Sequence, residues 1–305
     1  MAVINTSTHP KLLWPGLYEI FHDGMTKEWP ELYTKIYDVH SSQQKYEEIQ
    51  GVTSFGLAPE KTEGAPLIYD VEQQGYNKRF IHAAYSLGTQ VTKEELMDNL
   101  YAKVGGSRVK MLAKSMRETV ETVSWNVLNR ATDNNYTGWD GKELLATNHP
   151  YVNGGTYANE PNTATDLSET AVEDLIILMM QAENDRGLKE KLMPRCLIVH
   201  PNESFNAHRI LKSALQNDTA NNATNALRDG KWFPEGICVS PYLDDSDQWF
   251  IKTDAMHGGY FFWRQRPEMD KDNDFQTKNA LFSGYMRFSV NFVNPKWMYG
   301  SPGAN

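Results

Sequence analysis

One stretch, residues 92–131, constrains what this chain can fold into more than any other. It opens on Thr92-Lys93-Glu94-Glu95, a capping box in which the Thr92 hydroxyl accepts from the Glu95 amide and the Glu95 carboxylate reaches back. Leu96, Leu100, Val104, Val109, Leu112, Met116, Val120, Val123 and Val127 then follow as a continuous apolar stripe at helical spacing. A helix over that span reaches roughly 60 Å at about 1.5 Å per residue. Such a rod predicts a flat, elongated subunit or one whose neighbours complete the burial. Gly105-Gly106 interrupts the stripe, and each Gly costs about 1 kcal/mol relative to Ala inside a helix. The pair marks a kink, a break or a hinge.

The segments on either side differ in character. Residues 1–48 are interrupted by Pro10, Pro15 and Pro30. They read as an arm packed on something else, with a short helix over residues 17–25. Residues 49–91 are punctuated by Gly51, Gly56, Pro59, Gly64, Pro66 and Gly75, with strand-like alternation between. Leu67, Tyr69 and Val71 share one strand face, and Arg79, Ile81, Ala83, Tyr85 and Leu87 share the next. The polar run between Gly56 and Gly64, including Pro59, Glu60, Lys61, Thr62 and Glu63, suits the tip of a protruding β-hairpin. An isolated hairpin is marginal in water, so a protruding one needs support from elsewhere.

Downstream of the long helix, residues 138–165 are rich in Gly, Asn and Thr and read as loop or hairpin. Thr170-Ala171-Val172-Glu173 is a second capping box, opening a helix that ends near Gly187. The apolar run Arg195 to Val199 predicts a strand covered on both faces. Asn202 is placed to cap a third helix running through Phe205, Leu211 and Leu215. Further strands are expected at 236–239, 249–252 and 259–264. A last, unusually long strand spans 281–293, with Phe282, Gly284, Met286, Phe288, Val290 and Phe292 on one face. Helices and strands mix without regular βαβ alternation, which makes the class α+β.

Composition narrows the function. The 305 residues carry a formal charge of -9, which argues against a protein that grips nucleic acid through clustered Lys and Arg. Cys196 and Cys238 stand far apart in sequence and in no metal spacing, so neither a disulfide framework nor a zinc site is expected. No run of about eighteen apolar residues is present to cross a membrane. His200 and His208 flank a helix start without a third ligand. No nucleophile elbow or phosphate loop appears. Asp244-Asp245-Ser246-Asp247 and Asp270-Lys271-Asp272-Asn273-Asp274 read as solvated turns. No catalytic residue, metal ligand or cofactor is assigned.

The order of these elements resembles the major capsid proteins of tailed double-stranded DNA bacteriophages, whose fold is named after phage Hong Kong ninety-seven. Tyr69-Asp70, Gln74-Gly75-Tyr76 and the run Tyr85 to Leu96 look like the family's passage from extended loop to spine helix. The run Gly138 to Pro150 resembles the stretch that follows that helix. Residues 194–201 resemble a strand of the axial domain. The length and layout are similar to Mu-like head subunits. The resemblance implies an N-terminal arm at 1–48 and an extended loop at 49–91 lying over an adjacent subunit. It implies a peripheral domain at 92–160 built on a spine helix at 92–131, an axial domain at 161–267, and a return to the peripheral domain at 268–305.

It further implies a structural subunit, not an enzyme, that closes hexamers and pentamers into an icosahedral shell. Its partners would be copies of itself, scaffold, portal and decoration proteins, and packaged DNA touched only loosely. Its place would be the virion, after assembly in the host bacterial cytoplasm, away from any membrane. Residues 1–48 leave little room for an integral scaffolding segment. Some relatives join a loop Lys to a distant Asn, and Lys61 is the Lys at this loop's tip, though a solvated Lys is the ordinary reading. Two other readings compete: a soluble hydrolase with an acid or histidine site, and another virion structural subunit.

Overall fold

The computed structural model describes residues 14–26, 31–64, 66–92, 94, 101–215, 224–274, 276–277 and 279–304. In chain order the helices are α1 (Trp14–Thr26), α2 (Tyr33–Ile36), α3 (Tyr101–Asn129), α4 (Glu169–Met180), α5 (Ser204–Lys212) and α6 (Ala226–Asp229). The strands are β1 (Asp38–Ser41), β2 (Tyr46–Val52), β3 (Gln74–Ile81), β4 (Ala83–Val91), β5 (His149–Pro150), β6 (Thr156–Tyr157), β7 (Pro194–Val199), β8 (Gly236–Val239), β9 (Trp249–Thr253), β10 (Gly259–Asn273), β11 (Ala280–Phe292) and β12 (Met298–Ser301). This is an α+β fold built on two four-stranded sheets.

The first sheet has the order β1–β10–β11–β4, with β1 parallel to β10 and the other pairs antiparallel. Helix α3 covers one of its faces. Val109, Leu112, Ala113, Met116, Val120 and Leu128 on the helix are buried, as are Phe282, Met286, Phe288 and Phe292 on β11, all in one cluster. The β11 alternation therefore holds for most of its length, since the period-2 pattern of a strand presents alternate residues to one helix. Helix α3 runs unbroken through Gly105-Gly106, which corrects the expectation of a break between two helices. Its described 29 residues span roughly 43 Å. Glu95, Leu96 and Leu100, expected in its first turns, lie outside the described residues.

The N-terminal segment corrects a second expectation. Residues 14–26 pack on the chain's own α3, with Phe21 and Met25 buried in the common core. Gly24 makes the close crossing workable, since a Cβ there would lie 2.9 Å from the Cβ of Ala113. Glu121, inside the buried stripe of α3, binds this segment from below. Its carboxylate accepts from the amides of Leu32 (2.8 Å) and Tyr33 (3.2 Å) at the start of α2 and from the Trp125 indole (3.0 Å). Burial raises the Glu121 pKa, and these three donors oppose the shift.

The second sheet has the order β12–β9–β7–β8. β7 is buried on both faces, as its apolar run predicts. Cys196 and Ile198 join the core under the first sheet, while Leu197 and Val199 pack with α4 and α5. Cys196 and Cys238, remote in sequence, are buried on the adjacent strands β7 and β8. Local details differ from the sequence reading. The cap of α4 is Ser168, whose hydroxyl accepts from the Ala171 amide at 3.2 Å, and the helix ends at Met180. Ser168 wins over Thr170 because its extended backbone aims the hydroxyl along the helix axis. Asn202 lies in a 3-10 turn before α5, with Phe205 exposed and Leu211 buried. Asp270, Asp272 and Asn273 continue β10 rather than forming a turn.

The expected domain boundaries also shift. β1 and β4, assigned to the arm and the extended loop, belong to the first sheet. The boundary at 267 falls inside β10, and β12 leaves the first sheet for the edge of the second. Among the described residues, no helix is long and apolar enough to cross a membrane.

Candidate assembly surface

β2 and β3 form an antiparallel ladder separate from both large sheets, from Tyr46↔Ile81 to Gln50↔Asn77, then shifting register to Val52↔Gln74. Arg79 crosses the ladder to Glu48 (2.5 Å) and lies over the Tyr46 ring at 4.4 Å. Phe80 points the other way, into a small cluster with Phe262 and Val293. His82 separates β3 from β4, so the alternating face expected from Arg79 to Leu87 is divided between the ladder and the first sheet. This buried ring bridges Ser42 Oγ (3.1 Å) and Ser289 Oγ (3.0 Å), tying both roots of the ladder to β11. Desolvation holds its pKa below the usual histidine value, assisted by Arg287 and Arg264 and opposed by Glu47.

Beyond the ladder the chain makes a long excursion, residues 53–73, whose described residues form no helix or strand. Thr53 and Gln73 pair at its neck: each backbone amide is 2.9 Å from an oxygen of the other residue. Asp70 ties its two limbs together, accepting from the Gly56 amide at 2.7 Å and the Val71 amide at 2.9 Å. Those two amides, then the Arg186 guanidinium, hold its carboxyl below the ordinary carboxylate range. Arg186 also donates to the Val71 carbonyl at 2.7 Å. Leu67, Tyr69 and Val71 are not in a strand, contrary to expectation, because no strand among the described residues supplies ladder partners.

Both limbs of this excursion expose apolar side chains on either side of its polar tip. Val52, Phe55, Leu57, Leu67, Ile68, Tyr69 and Val71 are all exposed, with Leu57 at 82% and Tyr69 at 86%. A contiguous exposed apolar stretch marks an interaction site in a soluble protein. The tip residues Pro59, Glu60, Lys61, Thr62 and Glu63 are solvent-exposed too. Gly105 and Gly106 lie well away in sequence, within α3. Thr92 follows β4, and its expected partner Glu95 lies outside the described residues. The described members of the three groups sit on different elements: the excursion tip, α3 and the residue after β4.

Sequence reasoning missed the residues that seat this excursion on the body. Gly51 and Trp139 are in close contact: a Cβ on Gly51 would lie 2.3 Å from the indole Cζ3. Lys78 Nζ donates to the Thr137 carbonyl. Behind Trp139, Asp140 Oδ2 lies 2.7 Å from His149 Nδ1, and His149 Nε2 lies 3.1 Å from Asn159 Oδ1. Asn159 donates its amide hydrogens toward the carbonyls of Leu144, Pro295 and Met298, so its oxygen is the acceptor and His149 Nε2 carries a hydrogen. The available signal was the Gly138-Trp139-Asp140-Gly141 turn, an exposed-looking Trp between two glycines.

Comparisons with known proteins agree with this architecture. No curated protein matches the sequence. Among solved structures, the chain superimposes on the capsid of an empty GTA particle with a TM-score of 0.58 at 11% identity, covering 100% of both chains. It matches the virus-like particle from Pyrococcus furiosus with a TM-score of 0.57 at 12% identity, over 94% of this chain and 98% of that one. It matches the procapsid of bacteriophage JBD30 with a TM-score of 0.55 at 11% identity, over 99% of this chain and 77% of that one. These likenesses establish the fold. The family model described as phage capsid protein matches residues 80–301, nearly three quarters of the sequence from β3 to β12, and the chain belongs to that family.

Proposed function

We propose that this capsid protein is the major head subunit of a tailed phage. Its copies associate into hexamers and pentamers and close an icosahedral shell around double-stranded DNA. The observation that carries this reading is the exposed apolar surface of residues 52–71. Fully burying a side chain such as Leu or Ile is worth about 1.5–3 kcal/mol, so several together make a strong association site. The excursion then lies over an adjacent subunit. Modest energy per contact, multiplied by closed symmetry, yields a stable shell.

The net charge of -9 suits a wall that touches packaged DNA without gripping it. Scaffold, portal and decoration proteins complete the assembly, which takes place in the host cytoplasm. Gly105-Gly106 serves as a point where α3 bends when the shell changes shape. Replacing both by Ala is expected to leave the subunit folded and to impair expansion, and unchanged expansion counts against that role.

Negative-stain microscopy of the purified protein across a concentration series tests the function. Closed particles or capsomers above a threshold concentration are expected. A monomer at every concentration would overturn the reading.

A further inference from the structure

Besides the Arg186 contacts to Asp70 and Val71, the excursion is seated on the body by a close joint at its root. Where the β2–β3 ladder shifts register between Gln50 and Val52, Gly51 is buried against the face of Trp139. A Cβ at Gly51 would meet two indole atoms at 2.3 and 2.8 Å, so no other residue fits there while Trp139 holds its place. Gly75, on the opposite strand, packs on Gly51 less tightly: a Cβ there would lie 3.0 Å from the Gly51 carbonyl oxygen. Tyr76 adds a tilted ring contact to Trp139 at 6.4 Å. Trp139 itself is fixed from behind. Its amide donates to the Val293 carbonyl at 3.3 Å, and the next residue, Asp140, is anchored through His149 and Asn159 to the C-terminal segment. Beside this joint lies a cleft of about 370 Å³ lined by Val52, Trp139, Tyr151, Tyr157, His257 and Lys296. The root of the excursion therefore has room to tilt toward the body, and the indole is the solid object that stops it.

We propose that Trp139 is a wedge that sets the angle at which residues 52–73 leave the body, and so is a positioning residue for shell assembly. Packing against Gly51, which has no side chain to intervene, seats the indole directly on the β2 backbone. The Asp140–His149–Asn159 chain keeps the wedge from yielding under load. Removing the wedge lets the excursion tilt into the cleft and spreads its apolar surface over many orientations. Association then has to select the productive one, which lowers apparent affinity by the fraction of subunits in it. The inference rests on the proposed role of this excursion in subunit contacts.

The test measures the threshold concentration for particle formation by sedimentation, and the thermal midpoint of the unassembled subunit by circular dichroism. Trp139→Ala is expected to raise the threshold at least about tenfold, with a folded subunit and with particles of irregular diameter or incomplete closure. Trp139→Phe, which keeps a flat ring, should restore most of the loss. Gly51→Ala should impair assembly in the wild-type background, where its methyl collides with the indole, and add nothing in the Trp139→Ala background. Additive effects of the two substitutions overturn the proposal, because the clash is its physical basis. So do wild-type thresholds and diameters for Trp139→Ala, or a loss fully matched by unfolding. A third variant, with residues 54–69 replaced by a short Gly-Ser turn, separates this from the parent reading. If that variant assembles normally, the excursion is not the contact. If it fails while Trp139→Ala assembles normally, the contact stands and the wedge does not.

Discussion

Helix α3 and the excursion at 53–73 are both rich in apolar side chains, yet they meet their needs in different ways. Val109, Leu112, Met116, Val120 and Leu128 are at most 4% exposed within a single chain. Leu57, Ile68 and Tyr69 are more than 70% exposed in the same chain. A long helix was the reason to expect dependence on neighbours. Its buried stripe from Val109 to Leu128 is covered by β11 and by α1. The dependence falls instead on the stretch that leaves the body. A hydrophobic pattern reports that a surface will be covered; only topology reports by what.

Substitutions sharpen that contrast. The largest expected effect is on assembly. Changing Leu67, Ile68 and Tyr69 together to Ser should abolish particles in the microscope while shifting the thermal midpoint little, since exposed side chains contribute little to the isolated fold. The reverse holds on the helix. Met116→Ala should lower stability by about 2–5 kcal/mol, read from the denaturant midpoint of the unassembled subunit. A Leu67/Ile68/Tyr69 variant that unfolds the subunit, or a Met116 variant that leaves its stability unchanged, would overturn this contrast.

A smaller effect is expected at Glu121. Replacing it with Gln puts an NH2 group among three donors and should cost about 1–3 kcal/mol by the same measurement. pH offers a subtler probe. The His82 pKa is depressed in the folded chain, so the unfolded chain binds the proton more readily. The contribution of neutral His82 is complete above the ordinary value of 6.5 and is lost as pH falls from there toward the depressed value. Stability measured from pH 7.5 to 5 should decline less for His82→Gln than for the wild type. Last, Glu48→Ala on the exposed ladder should change stability by less than about 0.5 kcal/mol, since the pair with Arg79 is open to water.

The sequence made the regular parts readable. The α3 stripe from Val109 onward, the alternation of β11 and the doubly buried run of β7 all follow from local periodicity, and the structure keeps each. What it hid depends on contacts between remote residues. The strand pattern at Leu67, Tyr69 and Val71 is genuine, but a strand needs an edge to pair with, and the described residues pair none with it. The split between β3 and β4 turns on His82 reaching Ser42 and Ser289, partners 40 and 207 residues away. The switch of β12 to the second sheet is invisible in four residues of sequence. Trp139 stood only within the run Gly138 to Pro150, because its seat is an absence of a side chain at Gly51, 88 residues before it.

The proposed demand for neighbours resides in the exposed apolar side chains between Val52 and Val71, whereas the α3 stripe from Val109 to Leu128 is buried within the chain. Sedimentation velocity of the chain with residues 54–69 replaced by a short Gly-Ser turn tests it most directly. The account expects a folded, unassembled subunit at concentrations where the wild type forms particles. Particles of wild-type size from the shortened chain would contradict it.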